Sequence, residues 1–443
     1  DGPVDVGLWT LWNRLVDGDE PQQTPYLVGP IVGTVTDTTA RILVEVDGDH
    51  EVTMEAFMDG RKVYEHTQTL QRRCPTVFQL DGFEEDKRIL VKVNVGDSGQ
   101  EREARFTTTS DKKNWKIATV SCNCHSRMEQ INLWERLSRV IGNVDCVLHM
   151  GDQVYADMDR VSKRDPSKSF HSAWVKSNEL LADLEGEDQW EEQRRSILEQ
   201  YRRTYRETFN YPELAQVLAS TANYMICDDH EVVDDLGDEE SHIDHSSKEF
   251  FVIKLGYQVY LEYQKQLLCD TDALDMTNKV YYPFKLSPKV AFFMSDNRVE
   301  RSLHRKDGRE RDWENKTLMG PDQWECLSKT FNEDFADCEV VLFVSPTPIV
   351  FLSQRATGLA SQVMDDARGT WGHSDFESEQ AALCELLSAW QSEDPKRGLV
   401  TLGGDVHIGG FTDSWHAESN VPLHQMTASA IGNIPEGSIN DLK

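Results

Sequence analysis

The strongest constraint on this 443-residue chain is a change in the period of its apolar residues near position 110. Between Tyr26 and about Thr109, apolar and polar residues alternate in short segments. Examples are Ala40-Arg41-Ile42-Leu43-Val44-Glu45-Val46, Val52-Thr53-Met54-Glu55-Ala56 and Arg88-Ile89-Leu90-Val91-Lys92-Val93, with Asp-Gly pairs at 47–48, 59–60 and 81–82. Period-two alternation sends successive side chains to opposite faces, and Asp-Gly tolerates the positive φ of tight turns. The pattern predicts a small antiparallel β-sandwich of the immunoglobulin or fibronectin type, with about seven strands over 25–110. Beyond the polar linker 107–113, apolar strands at Ile117–Val120, Cys146–Met150, Tyr224–Cys227, Val290–Met294, Val340–Val344 and Leu399–Leu402 alternate with helical patterns, notably 187–208, 247–268 and 375–391. That order predicts a layered α/β domain over 114–443. Residues 1–24, with the patch Leu8-Trp9-Thr10-Leu11-Trp12, read as an arm, the charged segment 157–207 as a helix-rich surface insertion, and 234–240 as an acidic loop.

Lys and Arg number 46 against 77 Asp and Glu, a formal charge of −31. Such a chain repels nucleic-acid backbones and anionic lipid, so no nucleic-acid scaffold is expected as a partner. The same carboxylates suit binding of multivalent cations. Nine cysteines, an odd number, stand mostly isolated in apolar stretches. They read as reduced core thiols and fit a reducing compartment. No apolar run reaches the roughly 18 residues of a membrane span. The chain opens on Asp1 rather than Met, which fits removal of a leader.

Five predicted strands end in residues that bind metals or protons: Ser121-Cys122-Asn123, Gly151-Asp152-Gln153-Val154-Tyr155, Cys227-Asp228-Asp229-His230-Glu231, Ser295-Asp296-Asn297-Arg298 and Gly404-Asp405-Val406-His407. Taken singly, each has a plain structural explanation. Ligands in open α/β sheets collect outside the carboxyl ends of strands, so the five can meet at one place. Hydrolysing a phosphate ester at neutral pH requires a deprotonated water, neutralised phosphoryl oxygens and a protonated leaving group; two metal ions about 3.5–4 Å apart meet the first two needs. Asp152 is the candidate bridging carboxylate. The thiol of Cys122 and the phenol of Tyr155 must each lose a proton to bind, which points to Fe3+. Asp229 and Asp405 suit hard cations such as Ca2+, Mg2+ or Mn2+, and His407 is a tolerant ligand.

These clusters, with Gly151 to Asp157 and Asp228 to Val232 taken whole, resemble the PhoD-like alkaline phosphatase family of the calcineurin-like metallophosphoesterase superfamily. The Gly-Asp-x-x-Tyr element is also similar to that of purple acid phosphatases. The resemblance covers about residues 25–430 and implies a four-layer α/β/β/α metallophosphoesterase core behind the small β-sandwich. It further implies hydrolysis of small phosphomonoesters or phosphodiesters, with iron accompanied by calcium or another divalent ion (Mg2+, Mn2+ or Zn2+). Carried over, Cys122, Asp152, Tyr155 and His407 hold the iron, Asp152, Asp229 and Asp405 the divalent ion, and His230 protonates the leaving group. Arg298 matches a recurrent Asp-x-Arg and is expected either at the phosphate or in a structural ion pair. Asn123 and Asp296 are weaker candidates at the substrate.

The sequence departs from the family pattern in places. Cys124 creates a Cys-x-Cys-His run, Asp234-Asp235-Leu236 replaces a frequent Trp, and the chain stops soon after Ala430 where relatives continue. Acidity in 157–207 and 234–246 favours a small or singly charged ester over a polyanion. The rival reading is a catalytically weak phosphoesterase fold serving as a binding or adhesion module. His-Glu-x-x-His, Gly-x-Ser-x-Gly and Gly-x-x-x-x-Gly-Lys-Ser/Thr are all absent, which removes zincin, serine-hydrolase and P-loop readings.

Overall fold

The computed structural model describes residues 25–112, 114–128, 133–159, 171–274, 278–302, 316–351, 369–414 and 421–433. The expected arm over 1–24 lies outside them. Seven strands come first: β1 (Tyr26–Val35), β2 (Ala40–Val46), β3 (His50–Met58), β4 (Arg61–Leu70), β5 (Thr76–Leu80), β6 (Arg88–Val95) and β7 (Glu101–Thr107). They form two antiparallel sheets of order β1-β2-β5 and β4-β3-β6-β7. Asp59 and Gly60, with φ of 50° and 77°, close a two-residue hairpin in which Met58 pairs with Arg61. Positive φ at both central residues matches the strand twist, which is why Asp-Gly stands there. Asp47-Gly48 instead carries the chain from one sheet to the other. Ile42, Val44 and Val46 face Val52, Met54, Val91 and Val93 across the interior.

Two of the alternate residues of β2, Leu43 and Glu45, do not face water. Leu43 packs with Tyr205, Tyr263 and Leu267 from the helical body, and the neighbouring Glu45 is fully buried.

The remaining strands build two more sheets. β8 (Ile117–Val120), β9 (Cys146–Met150) and β10 (Ala222–Ile226) are parallel, in the order β10-β9-β8. β11 (Tyr282–Lys285), β12 (Val290–Met294), β13 (Val340–Ser345), β14 (Gly398–Gly403), β15 (Gly410–Ser414) and β16 (Leu423–Thr427) lie in the order β11-β12-β13-β14-β16-β15. Its centre is parallel, and β11 and β15 add antiparallel edges. Leu148, Met150, Tyr224 and Ile226 share one core with Phe292, Met294, Val344 and Leu402, so these two sheets face each other. Helices cover their outer faces: Trp134, Ile197, Tyr201 and Phe251 pack on Val147 and Met225, and Phe331, Leu383 and Trp390 pack on Phe293 and Phe343. β9 and β10, covered on both sides, are buried at every residue, which is why they read as unbroken apolar runs.

Two expectations need correction. The helix Arg194–Phe209 is no surface insertion, since Ile197, Tyr201, Tyr205 and Phe209 are buried at intervals of four. The stripe is that of the amphipathic pattern expected over 187–208; the charged residues around it suggested a surface position. The helix expected over 247–268 is divided into an α-helix (Lys248–Tyr260), a π-helical turn (Leu261–Lys265) and a short final stretch (Gln266–Leu268). All nine cysteines are unpaired. Among the described residues no helix is long and apolar enough to cross a membrane.

Candidate metal centre

The clusters expected at the strand ends do converge. Asn123 N–H donates to Asp152 O (2.7 Å), Ala156 N–H to His230 O (2.8 Å), and Ile431 N–H to Ser121 O (3.0 Å), tying the ends of β8, β9 and β10 to the segment after β16. Two glycines permit this closeness. A Cβ on Gly151, whose φ is +94°, would stand 2.4 Å from Asp228 Cβ, and one on Gly404 would stand 2.6 Å from Ser121 Cβ. Cys122, Asp152, Asp405 and His407 hold φ of 58°, 58°, 63° and 57°, a left-handed conformation that side chains other than Gly adopt only at some energetic cost. Concentration of such backbone strain in one place marks a functional site.

The four residues expected at iron sit on this floor. Tyr155 Oη donates to Asp152 Oδ2 (3.3 Å) and lies 3.3 Å from His407 Nε2. Asn433 Nδ2 donates to the same phenol oxygen at 3.0 Å. Cys122 is fully buried, its thiol 3.2 Å from Ser121 Oγ and 3.6 Å from Asp405 O. Burial, reinforced by neighbouring carboxylates, pushes Cys122, Tyr155 and Asp152 well above their ordinary values. Burial also lowers His407 to about 4, which keeps its imidazole neutral and able to ligate. A thiol, a phenol and a carboxyl are thus crowded together at one place, a donor set suited to a cation, with the His230 ring stacked against the phenol.

The carboxylates beside this floor form overlapping groups. Asp152, Asp229 and His230 bring ligand atoms within 4.8 Å of one another, and so do Asp152, Asp228 and Asp405. Asp152 belongs to both, as a bridging residue must. Its Oδ1 and Asp228 Oδ2 are buried without a hydrogen-bond partner among the described residues, a cost that a cation between them would relieve. Asp228 was not singled out from sequence, although it stands next to Asp229.

Arg298 is buried and donates from Nε to Asp228, with Nη2 3.4 Å from Asp229 Oδ1. The structural ion pair is therefore present, while Nη1 has no acceptor among the described residues. Burial raises Asp228 to about 6, whereas at Asp229 the burial penalty is outweighed by Arg298 and His230, which hold it low. Asp296 Oδ1 accepts from Arg298 N–H (2.9 Å), closing its own turn. Asn123 Nδ2 donates to Gln153 O (3.1 Å), and its Oδ1 accepts from Trp134 Nε1 (2.8 Å). The side chains of Asn123 and Asp296 thus brace loops.

His230 stacks on Tyr155 with ring centroids 4.0 Å apart. Its Nδ1 meets Asp157 Oδ2 at 2.7 Å, which fixes the ring, and its Nε2 lies 3.7 Å from Asp234 Oδ1. Burial opposes the imidazolium, but Asp157, Asp229 and Asp152 outweigh it and raise His230 well above its usual value. Asp157, with Asp234 and His230, makes a third acidic group. Glu231 turns to backbone amides. Its Oε2 accepts from Asp152 N–H (3.1 Å) and Asp228 N–H (2.9 Å), and its Oε1 from Gln153 N–H (2.7 Å). Sequence reasoning gave Asp157 and Glu231 no role, because spacing does not tell a carboxylate aimed at an ion from one aimed at backbone N–H groups.

A profile of the PhoD-like phosphatase family matches residues 117–433. Among solved structures, the chain is similar to that of PhoD, with a TM-score of 0.70 and 15% identity over 92% of this chain and 78% of that one. That likeness shows the fold. A much smaller match, to the sensor domain of the anti-sigma factor RsgI4 of Pseudobacteroides cellulosolvens, has a TM-score of 0.15 and 11% identity over 18% of this chain and 71% of that one. No curated protein matches the chain. With the profile spanning well over half its length, the chain belongs to the PhoD-like phosphatase family.

Proposed function

We propose that the protein is a metal-dependent hydrolase of small phosphate esters, monoesters or diesters, built as a four-layer α/β/β/α catalytic domain (114–443) behind a β-sandwich (25–110). One observation carries this reading: Asp152 is shared by two ligand groups that also contain Asp228, Asp229, Asp405 and His230, at strand ends where buried carboxylate oxygens lack partners. Cys122, Asp152, Tyr155 and His407 fit Fe3+, since thiolate and phenolate favour a strongly Lewis-acidic ion. Asp152, Asp229 and Asp405, joined by Asp228, fit a hard divalent ion, with Ca2+ the first choice. When bound, the ions supply Lewis acidity that lowers the pKa of water and neutralises phosphoryl oxygens.

The protein's own groups do the rest. His230, oriented through Nδ1 by Asp157, carries a proton on Nε2 for the leaving alkoxide. Arg298 holds Asp228 and Asp229 in place, and its Nη1 is the donor assigned to a phosphoryl oxygen. Glu231 fixes the backbone of two of the ligand loops. The exposed, acidic Asp234 beside His230 favours an ester carrying little charge.

The test is elemental analysis and a visible spectrum of protein purified without chelator, followed by assays on p-nitrophenyl phosphate and bis(p-nitrophenyl) phosphate. About one iron per chain with a charge-transfer band, a divalent ion, and hydrolysis lost on chelation are expected. Zinc alone, or no metal and no hydrolysis after reconstitution, would overturn the proposal in favour of a binding module.

A further inference from the structure

The π-helical turn Leu261–Lys265 is buried at every residue, yet four of its five side chains are polar: Glu262, Tyr263, Gln264 and Lys265. Burying such groups is unfavourable unless each is bonded, and π-turns insert a residue to re-aim side chains, often at functional sites. Two adjacent members of this turn point to different places. Tyr263 Oη donates to Glu45 Oε2 (2.5 Å), on β2 of the N-terminal sheets. Gln264 Nε2 donates to Glu231 Oε1 (3.2 Å), and its Oε1 accepts from Gln153 Nε2 (3.1 Å), at the metal loops.

The neighbouring helix Arg194–Phe209 repeats the arrangement with another adjacent pair. Arg206 Nε donates to Glu45 Oε1 (2.8 Å), while Tyr205 Oη accepts from Gln264 Nε2 (3.0 Å). The rings of Tyr205 and Tyr263 stack with centroids 4.6 Å apart, locking the two elements together. On one side of this stack lies Glu45, with no exposed surface; on the other lies Glu231, which holds the backbone N–H groups of Asp152, Gln153 and Asp228.

We infer that Glu45 is a positioning residue for the metal centre, acting from the N-terminal sheets through Tyr263 and Gln264 onto Glu231. Seating of the sandwich then sets the geometry of Asp152 and Asp228, and the sandwich is a working part of the active site. The inference rests on the metal-centre reading only for its consequence in metal affinity; the relay itself is a set of hydrogen bonds testable without metal.

The experiment compares two isosteric variants of the full chain, each deleting one hydroxyl across the same interface. Tyr263→Phe removes the bond to Glu45. Thr34→Val removes the bond from Thr34 Oγ1 to Leu268 O (3.0 Å), which involves none of the side chains of Glu45, Tyr263 and Gln264. Hydrogen exchange is followed in peptides covering 150–154 and 226–232, with and without Mn2+, and Mn2+ affinity is titrated. Tyr263→Phe, Glu45→Gln and Gln264→Leu are expected to speed exchange of the Asp152, Gln153 and Asp228 amides about tenfold, the worth of a charge-assisted hydrogen bond, and to weaken Mn2+ binding by about tenfold. Thr34→Val is expected to leave both within about twofold. Equal responses in Tyr263→Phe and Thr34→Val, or no local response in Tyr263→Phe, would overturn the relay. A wild-type protein that binds no Mn2+ would count against the metal centre, while the exchange data alone would still decide the relay.

Discussion

Replacing Glu231 by Gln keeps the side chain's size and nearly its shape, yet the hydrogen-bond geometry predicts a large effect. Each carboxylate oxygen faces two donors: Oε2 accepts from the N–H groups of Asp152 and Asp228 at 3.1 and 2.9 Å, and Oε1 from Gln153 N–H at 2.7 Å and Gln264 Nε2 at 3.2 Å. Whichever way the new amide turns, its NH2 group meets two N–H donors. Two hydrogen bonds are lost and their donors stay buried, at about 1–2 kcal/mol each, so Glu231→Gln should destabilise the protein by about 2–4 kcal/mol. Glu231→Ala orphans all four donors and should cost about 4 kcal/mol, moderated by water entering the vacated space. Because the affected amides belong to the ligand loops, Mn2+ affinity should fall about 10–100-fold in both. Thermal melts with and without chelator, together with calorimetric Mn2+ titration, provide the assay, and a melting temperature lower by about 4 °C is expected for Glu231→Gln. A Glu231→Gln protein that melts with wild type and binds Mn2+ within twofold would refute the carboxylate clamp.

Asp152→Asn should lose bound metal and essentially all hydrolysis; full metal content with full rate would sink the bridging assignment. His230→Ala should retain metal while turnover falls about 10²–10⁴-fold, most for esters with poor leaving groups; loss of metal instead would make His230 a ligand, as its grouping with Asp152 and Asp229 permits. Cys124 touches Ser126 and Met158 (3.1 and 3.8 Å), so Cys124→Ser should leave metal content and rate within about twofold, and a large loss would implicate a second thiol. His149 is buried on β9, its Nε2 3.0 Å from Asn223 Oδ1, and burial lowers it from 6.5 to about 4. A depressed histidine stabilises the fold fully above its unfolded value. That contribution shrinks as pH falls from about 6.5 to about 4, by about 3 kcal/mol in all. His149→Gln keeps a donor toward Asn223 and does not titrate. The difference in unfolding free energy between wild type and variant should therefore shift by that amount between pH 7 and 4, and a pH-independent difference would refute the buried neutral imidazole.

Where one local rule governs, the sequence was readable. Ile117–Val120, Cys146–Met150 and Val290–Met294 are observed with the bounds expected, because short apolar runs end where Ser, Gly or Asp must begin a loop. Asp59-Gly60 makes its hairpin for the same local reason. The convergence of the candidate ligands was also legible, since thiol, phenol, imidazole and carboxylate stand at successive strand ends. The helix Arg194–Phe209 was legible as the amphipathic pattern over 187–208, but its charges placed it in a surface insertion, whereas its stripe at intervals of four is buried.

By itself, then, the sequence marked most of the strands, the change from alternating strands to alternating strands and helices, and the candidate ligating residues, all of which follow from period and side-chain chemistry within a few neighbours. Only the tertiary structure decided which carboxylate does what. Asp228 lies among ligand atoms, Glu231 three residues later binds backbone amides, and Glu45, written as the polar half of an alternating strand, is buried against Arg206 and Tyr263. A carboxylate's task is set by the charges and donors that face it, and those are brought there by chain segments far away in sequence.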